Sequence, residues 1–359
     1  MSLDAEAAMR RAIALAWQGW GRVGTNPMVG AVLLRNGEPL FEGHHDAFGG
    51  PHAEVVALAA AGAAARGADL VVTLEPCTHH GKTPPCTAAI IEAGVRHVVF
   101  GARDPHTSAA GGAEALSRAG VVTEGGVLAA DVRAQNATFF HRHECPDRPF
   151  VAVKLALSLD AKIADSARRS RWVTGPDARD YVQWLRAGYE AIAVGAGTAR
   201  ADDPQLTVRG ALQPAVPPRR IVFDERGELP EHLELLRTAR EVPTTVVTGT
   251  QAPAAAIARF ESAGAGVVQA PDLAHALRAL RAGGSASVLV EGGGVLAGRL
   301  LAAGLVDRLY LLQAPVLLGA GGVPGFAALP DEAVESAPRW RVAERRALGG
   351  DTLLVLDRS

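Results

Sequence analysis

The amino-acid sequence predicts an α/β protein built from two domains. Short runs rich in Val, Leu and Ile alternate with Ala-rich helical runs along most of the chain, which is the pattern of a sheet covered by helices. The chain has 359 residues, more than one ordinary hydrophobic core accommodates. A charged run with two prolines at residues 141–149 interrupts the apolar periodicity, so we expect one domain at 1–145 and a second at 146–359.

Turn and capping residues delimit the elements of the first domain. Pro51 and the pair Pro84-Pro85 begin helices, Gly94 ends one, and Asn36-Gly37 marks a hairpin turn. The predicted helices cover residues 3–19, 52–65, 86–93 and 112–119, and the predicted strands cover 28–34, 39–42, 69–74, 95–100 and 121–123. This alternation predicts a layered sheet with helices on both faces.

One histidine and two cysteines in this domain could form a metal centre. His52 lies two residues before Glu54, and Cys77 follows a proline nine positions before Cys86. One imidazole and two thiolates fill three corners of a tetrahedral zinc site and leave the fourth for water. The arrangement H-x-E…P-C…C is typical of zinc-dependent nucleobase deaminases. We therefore predict Zn²⁺ bound by His52, Cys77 and Cys86.

The chemistry explains why these residues would lie at the starts of helices. The positive end of a helix stabilises a thiolate and lowers the pKa of the thiol. A bound metal ion lowers the pKa of its water, which makes hydroxide available near neutral pH. Glu54 is then placed to move protons from that water to the ring and to the departing ammonia. The pattern indicates hydrolytic deamination of a pyrimidine-like ring.

A closed structural zinc site is the alternative interpretation of the same residues. It needs a fourth protein ligand, and four histidines lie nearby in the sequence, namely His44, His45, His79 and His80. Structural sites usually carry cysteines in C-x₂₋₄-C pairs, whereas eight residues separate Cys77 from Cys86. A structural site also gives Glu54 no purpose. These observations favour a catalytic zinc ion.

The segment from Thr73 to Cys86 resembles one family closely. It departs from the P-C-x-x-C of cytidine, tRNA and polynucleotide deaminases and is similar to the bifunctional riboflavin-biosynthesis deaminase/reductase family, whose loop has this length and a G-K/R-T-P-P-C ending. The resemblance implies a cytidine-deaminase-like α/β/α layer domain. It implies substrate contacts through the amide, imidazole and ammonium groups of Asn26, His45 and Lys82. His106 stands where the family usually has the asparagine of D-P-N-P, so that contact is lost or replaced.

The second half repeats the strand–helix alternation. The predicted strands cover residues 150–157, 191–194, 220–223, 245–248, 287–290 and 308–312, with a helix at 175–187 and a closing hairpin around 340 and 353–356. The run 195–200 mimics a dinucleotide fingerprint, but Arg200 replaces the third glycine, so we reject a Rossmann domain. The run 291–294 follows a strand and opens a helix. It could cradle a phosphate or serve only as a packing turn.

Four motifs in the second half extend the same resemblance. They lie at residues 154–160, 172–176, 201–209 and 290–293 and are similar to the dihydrofolate-reductase-like domain of that family. The resemblance implies NADPH contacts at Leu157, Trp172, Thr198, Asp202, Gly292, Gly293 and Gly294, and substrate contacts at Ser170, Arg186, Leu206, Arg209 and Glu291. Arg186 and Arg209 suit a 5′-phosphate because guanidinium groups donate in pairs. Ala161 stands where the family usually has the glycine of S-L-D-G.

The resemblance therefore implies a two-step enzyme. Deamination of 2,5-diamino-6-(5-phosphoribosylamino)pyrimidin-4-one would precede NADPH-dependent reduction of the ribosyl group of 5-amino-6-(5-phosphoribosylamino)uracil to ribityl. One alternative keeps the deaminase and makes the second domain a nucleotide-binding or oligomerising unit. A nucleic-acid deaminase is the other alternative, but it predicts a basic surplus and stacking aromatics, whereas the net charge is −2 and aromatics make up 5%.

Composition sets the remaining expectations. Hydrophobic residues make up 48% and charged residues 21% of the chain, a globular composition. Three cysteines give no disulfide framework, and the first helix carries acids early, unlike a secretory signal. No uncharged apolar run approaches the roughly 18 residues of a membrane span. We expect a cytoplasmic homo-oligomer with small-molecule substrates and no nucleic-acid or membrane partner.

Overall fold

Two units divide the chain between Glu144 and Cys145 in the computed structural model, which describes residues 3–79 and 84–358. The predicted boundary lay one residue later. The charged run 141–149 is not a linker throughout, because a helix at Ala137–Glu144 includes its first four residues. Each unit has its own sheet. No helix in the described ranges is both long and apolar enough to cross a membrane.

The first unit contains a five-stranded sheet. Its strands are β1 (Gly30–Arg35), β2 (Glu38–His44), β3 (Asp69–Leu74), β4 (His97–Ala102) and β5 (Val122–Gly125), in the order β2-β1-β3-β4-β5. Strand β1 is antiparallel to both neighbours, and β3, β4 and β5 are parallel. Its helices are α1 (Leu3–Ala16), α2 (Ala53–Ala61), α3 (Cys86–Ala93), α4 (Gly112–Arg118), α5 (Ala129–Gln135) and α6 (Ala137–Glu144).

The core of the first unit explains why its strands could be predicted. Strands β1, β3 and β4 are almost entirely buried, and most of the residues in each are apolar. Helix α1 packs so closely on β1 that a Cβ atom at Gly30 would lie 2.0 Å from the Ala12 carbonyl oxygen. The first helix was predicted to extend to residue 19, but it ends earlier because residues 17–19 form a 3₁₀ turn. Helices α5 and α6 were not predicted.

The second unit contains a nine-stranded sheet in the order β11-β10-β9-β8-β12-β6-β13-β16-β15. The strands are β6 (Phe150–Leu157), β8 (Ala191–Gly195), β9 (Arg219–Phe223), β10 (Thr244–Thr248), β11 (Gly266–Gln269), β12 (Ser287–Glu291), β13 (Arg308–Gln313), β15 (Trp340–Leu348) and β16 (Asp351–Arg358), while β7 (Lys162–Ala164) and β14 (Val323–Pro324) form a small separate pair. The helices are α7 (Pro176–Ala187), α8 (Ala196–Asp202), α9 (Glu234–Arg237), α10 (Ala254–Ser262), α11 (Leu273–Ala282) and α12 (Gly294–Ala302).

The direction of these strands determines where a ligand can bind. Seven neighbouring strands of this sheet are parallel, in the order β11, β10, β9, β8, β12, β6 and β13. The hairpin of β15 and β16 adds antiparallel pairs beside β13. In open parallel sheets, ligands bind beyond the carboxyl ends of the strands. The edge strand β11 was not predicted, because its residues are at most half-buried and form no apolar run.

Candidate active sites

Three predicted metal ligands converge in the first unit. His52 is the N-cap of α2, Cys77 follows β3 by three residues, and Cys86 is the first residue of α3. The Nδ1 atom of His52 lies 3.1 Å from the Cys86 Sγ and 3.6 Å from the Cys77 Sγ. All three ligand atoms lie within 4.8 Å of one another, so they could hold one metal ion. The sequence predicted His52 in the first turn of the helix, but His52 is the N-cap residue and lies immediately before that turn.

The donor set fits zinc. One imidazole nitrogen and two thiol sulfurs are the ligands of catalytic zinc sites that keep an open position. The backbone N–H of Cys86 points at the Cys77 Sγ across 3.5 Å, as expected at a helix N-terminus. The side-chain hydrogen bond with Cys86, and further that with His52, lower the pKa of the Cys77 thiol, which favours the thiolate that a metal ion needs.

Glu54 lies beside the metal ligands in the first turn of α2. Its side chain is buried and lines the same cavity as His52 and Cys77. Burial raises the pKa of the Glu54 carboxyl. A raised pKa makes a carboxylate a stronger base, which favours its acceptance of a proton from water. The geometry therefore suits the proton-transfer role predicted from the sequence.

The cavity beside the metal ligands has a volume of about 410 Å³. Asn26 and His45 line it, as the resemblance implied, and the Asn26 Nδ2 lies 3.2 Å from the His45 Nε2. His106 also lines it, with its Nδ1 2.8 Å from the Ser108 Oγ. A histidine therefore occupies the wall where the resemblance led us to expect an asparagine. The predicted contact through Lys82 lies outside the described residues.

A fourth protein ligand is not present in the part of the chain that the structure describes. His45 uses Nδ1 on the Pro51 carbonyl oxygen at 3.0 Å and Nε2 on Asn26, and burial lowers the pKa of its imidazole. His44 faces Asp46 at 3.6 Å. His79 lines the cavity but does not join the metal group. His80 lies outside the described residues. This arrangement disfavours a closed structural site.

Glu75 is a site residue that the sequence analysis missed. It is buried at the end of β3, just before the Pro76-Cys77 pair, and lines the cavity. Its carboxylate accepts hydrogen bonds from the backbone N–H groups of Ala113 (3.0 Å) and Asp104 (3.3 Å). It therefore ties the segment that carries Cys77 to the opposite wall. An acidic residue ending a fully apolar strand was the available signal.

The second unit has a larger cavity, of about 1250 Å³, beyond the carboxyl ends of its parallel strands. Eleven of the twelve predicted reductase residues line it, namely Ser170, Trp172, Arg186, Thr198, Asp202, Leu206, Arg209, Glu291, Gly292, Gly293 and Gly294. Leu157 does not line it. Its side chain is buried under Gly325, where a Cβ atom would lie 2.4 Å from the Leu157 Cδ2, and its carbonyl oxygen accepts from the Ala314 N–H. A cofactor contact through the Leu157 side chain therefore has no support from this geometry.

Arg186 and Glu291 form a buried bidentate ion pair in this cavity. The distances are 2.6 Å from Nε to Oε1 and 3.0 Å from Nη2 to Oε2, and each residue is 8% exposed. The Nη1 of Arg186 donates to the Thr207 carbonyl oxygen at 2.9 Å. Three of the five N–H groups of Arg186 thus donate within the protein, and its contact with a phosphate stays a prediction. The exposed guanidinium of Arg209 remains the better candidate, with one 3.4 Å contact to Gln205.

Lys154 is the second residue to which the sequence analysis gave no role. It lies opposite Glu291 in the pairing of β6 with β12 and lines the cavity. Burial lowers the pKa of its ammonium group, although the charge of Glu291 opposes this. A lysine inside an otherwise apolar strand was the signal that could have identified it.

Two backbone features bear on the glycine and alanine positions of the motifs. Gly292 and Gly293 have φ of +63° and +80°, and a Cβ atom at Gly293 would lie 2.9 Å from the Thr198 Oγ1. The glycines are thus needed for close approach to Thr198 as well as for access to the N-terminus of α12. Ala161 has φ of +57°, the region that favours glycine, so the alanine holds a strained conformation at that turn.

Two family models match the chain. One, described as the cytidine and deoxycytidylate deaminase zinc-binding region, matches residues 2–102. The other, described as the RibD C-terminal domain, matches residues 149–354. The chain is also 38% identical over 356 residues to the riboflavin biosynthesis protein RibD of Actinobacillus pleuropneumoniae, covering 96% of this chain and 93% of that protein.

Solved structures show the same similarity. A Thermotoga maritima diaminohydroxyphosphoribosylaminopyrimidine deaminase/5-amino-6-(5-phosphoribosylamino)uracil reductase matches with a TM-score of 0.82 and 35% identity, covering 99% of both chains. A structure of Acinetobacter baumannii RibD matches with a TM-score of 0.83 and 32% identity, again covering 99% of both chains.

Proposed function

This chain belongs to the RibD family, the bifunctional deaminase/reductases of riboflavin biosynthesis, and we propose that each activity resides in one of its two units. The predicted family, the α/β fold class and the bifunctional activity are confirmed. The assignment of individual residues to each reaction is the proposal. It is carried by one observation: His52, Glu54 and Cys77 line one cavity, and eleven of the twelve predicted reductase residues line the other.

In the first unit, His52, Cys77 and Cys86 would hold a zinc ion. Bound zinc would lower the pKa of its water, so that hydroxide is available to attack the ring near neutral pH. Glu54 would carry the two protons of that water in turn, the first to the ring nitrogen and the second to the amino group that leaves as ammonia, since its buried carboxyl lies in the same cavity. The proposed substrate is 2,5-diamino-6-(5-phosphoribosylamino)pyrimidin-4-one. The contact between its phosphate and Lys82 stays a prediction.

The substitution Glu54→Gln tests the deaminase assignment. We expect ammonia release to fall by about 10³-fold, because the amide cannot accept the proton, while about one zinc per chain remains bound. Glu42→Gln is the matched control, since Glu42 is a carboxylate on β2 that binds Arg11 outside the cavity. Full ammonia release by the Glu54 variant, or wild-type protein without zinc, would contradict the assignment.

In the second unit, NADPH would lie along the carboxyl ends of the parallel strands, with its phosphates against the Gly292–Gly294 loop. Bound NADPH would supply the hydride. Ser170 donates to Asp202 at 3.3 Å, which places a predicted substrate contact beside a predicted cofactor contact. Glu291, held ionised by Arg186, suits acceptance of a hydrogen bond from a sugar hydroxyl. Arg209 would bind the 5′-phosphate.

Steady-state oxidation of NADPH with the deaminated intermediate tests the reductase assignment. We expect turnover with NADPH and weaker turnover with NADH. Absence of turnover with either cofactor, alongside normal ammonia release, would favour a second unit that only binds nucleotide or builds an oligomer. The homo-oligomeric state and the cytoplasmic location stay predictions.

A further inference from the structure

We infer that His45 is a positioning residue that turns the side-chain oxygen of Asn26 toward the deaminase cavity, where it accepts a hydrogen bond from the amino group that is removed. The inference rests on the proposed deaminase site and goes beyond it, because it names what distinguishes substrate from product. It also changes the role of His45, which the sequence analysis treated as a substrate contact.

His45 is held firmly at the end of β2. Only 3% of its surface is exposed, and its backbone N–H donates to the Val29 carbonyl oxygen at 2.9 Å. Its ring has a partner at each nitrogen: the Pro51 carbonyl oxygen lies 3.0 Å from Nδ1, and the Asn26 Nδ2 lies 3.2 Å from Nε2. Both ring nitrogens are therefore engaged within the protein, and neither is free to bind a substrate.

The chemistry of these two partners sets the position of the proton. A carbonyl oxygen can only accept, so Nδ1 must carry the hydrogen. In the neutral ring, Nε2 then offers only a lone pair. The Asn26 group that faces it must be the NH₂, because the amide oxygen would bring two lone pairs together. The amide oxygen therefore points away from His45.

The backbone that carries Asn26 is fixed as well. Its own N–H donates to the Val23 carbonyl oxygen at 3.1 Å. Two residues later, the buried Asn136 side chain accepts from the Met28 N–H at 2.8 Å and donates to the Met28 carbonyl oxygen at 3.0 Å. With the backbone fixed and the amide orientation set by His45, Asn26 presents an acceptor to the cavity it lines.

An acceptor in this position discriminates between substrate and product. Deamination replaces an amino group, which donates hydrogen bonds, with a carbonyl oxygen, which only accepts. The Asn26 oxygen is satisfied by the first and faces a lone pair of the second. If the amide could rotate freely, it would offer its NH₂ to the product and the discrimination would be lost. A site of this kind binds its substrate and releases its product.

Binding measurements with His45→Asn test this role. An asparagine side chain can still donate to the Pro51 carbonyl but is too short to reach Asn26. In a Glu54→Gln background, which slows turnover by about 10³-fold, we expect the product to bind about tenfold or more weakly than the substrate. With His45→Asn added, we expect that ratio to fall to about twofold. His44→Asn is the matched control and should keep the ratio, since His44 faces Asp46 outside the cavity.

A double-mutant cycle in the active enzyme separates positioning from direct contact. We expect His45→Asn to lower kcat/KM for ammonia release about tenfold, and no further in an Asn26→Ala background. Independent, multiplying effects of the two substitutions would overturn the inference. So would equal weakening of substrate and product binding by His45→Asn, which indicates a structural role only.

Two further measurements distinguish loss of positioning from loss of the metal site. Zinc content shows whether the variant keeps its metal group, and His45→Gln, whose longer amide can accept from Asn26, should restore the binding ratio. A ratio that stays low in a folded, zinc-loaded His45→Gln protein would count against the inference. Wild-type protein that releases no ammonia would instead contradict the proposed function.

Discussion

Glu54 and Glu291 are buried carboxylates, one in each cavity, and they lie in opposite electrostatic surroundings. Glu54 forms no ion pair with an arginine or lysine in the described part of the chain, and burial raises its pKa. Burial alone would also raise the pKa of Glu291, but the charge and hydrogen bonds of Arg186 lower it below its ordinary value. The first group can hold and pass on a proton, whereas the second stays ionised. Equal burial therefore leads to opposite chemistry, because the partner decides the charge.

The strongest test of this separation is removal of the metal ion. Treatment with a chelator should lower ammonia release by about 10³-fold or more, because His52, Cys77 and Cys86 would then hold nothing that activates water. NADPH oxidation with the deaminated intermediate should change by less than about twofold, since the second cavity contains no residue of the metal group. Both rates are measured on one preparation before and after zinc is restored. Parallel loss of both activities would show that the two sites are not independent.

Removal of the partner of Glu291 is expected to have the next largest effect. Arg186→Met should lower the free energy of unfolding of the second unit by about 3–5 kcal/mol, because it leaves a buried carboxylate without its ion pair. Urea unfolding followed by the tryptophan fluorescence of that unit measures the change. The double variant Arg186→Met/Glu291→Leu should recover most of the loss. If the double variant is no more stable than the single one, packing rather than charge accounts for the effect.

Arg209 differs from Arg186 because its guanidinium group is exposed and can bind a phosphate. Arg209→Met should raise the KM of the reductase for its phosphorylated substrate by about 10- to 100-fold, since paired charged hydrogen bonds to phosphate are lost. Unfolding should be almost unchanged, because the side chain is exposed. Steady-state kinetics measure this, with Arg345→Met on the exposed strand β15 as the control. An unchanged KM would remove Arg209 from the phosphate site.

Between about pH 5 and 8 the contribution of Glu291 to stability should be constant in the wild type and should depend on pH in Arg186→Met. In the wild type the folded pKa of Glu291 lies below the unfolded value of about 4.3, so its contribution is complete above that pH and is lost as pH falls through the folded pKa. In Arg186→Met the charges of Lys154 and Arg209 remain, but burial, the largest influence on this carboxyl, should then raise its folded pKa. Stability of the variant should then rise as pH falls toward about 4.3, by up to about 1.4 kcal/mol per pH unit. Urea unfolding between pH 5 and 8 gives the slope, and identical slopes would contradict this account.

The smallest effect is expected for an ion pair on the surface. Arg10 and Glu6 lie 2.6 Å apart on α1, with side chains 63% and 45% exposed. Arg10→Met should change the free energy of unfolding of the first unit by less than about 0.5 kcal/mol, because solvent screens the pair. Urea unfolding at low and high salt measures this. A loss comparable to that of Arg186→Met would mean that burial does not separate the two kinds of pair.

The amino-acid sequence was most informative where the site depends on neighbouring residues. Pro51 and the pair Pro84-Pro85 indicated the helix starts that carry the metal ligands, and an unbroken apolar run indicated β3. These signals are local, because a cap, a proline or a buried strand imposes its requirement within a few residues. The second unit was harder at its edge, where the half-buried strand β11 has no such signal.

The tertiary structure decided which groups meet. Arg186 and Glu291 are 105 residues apart, and their pairing follows from the register of the sheet and the position of α7. The inward turn of Leu157 and the contact between Asn26 and His45 arise in the same way. A sequence pattern reports what each segment needs for itself. Which donor faces which acceptor depends on segments that only folding brings together. These contacts also set the pKa values of the ionisable groups.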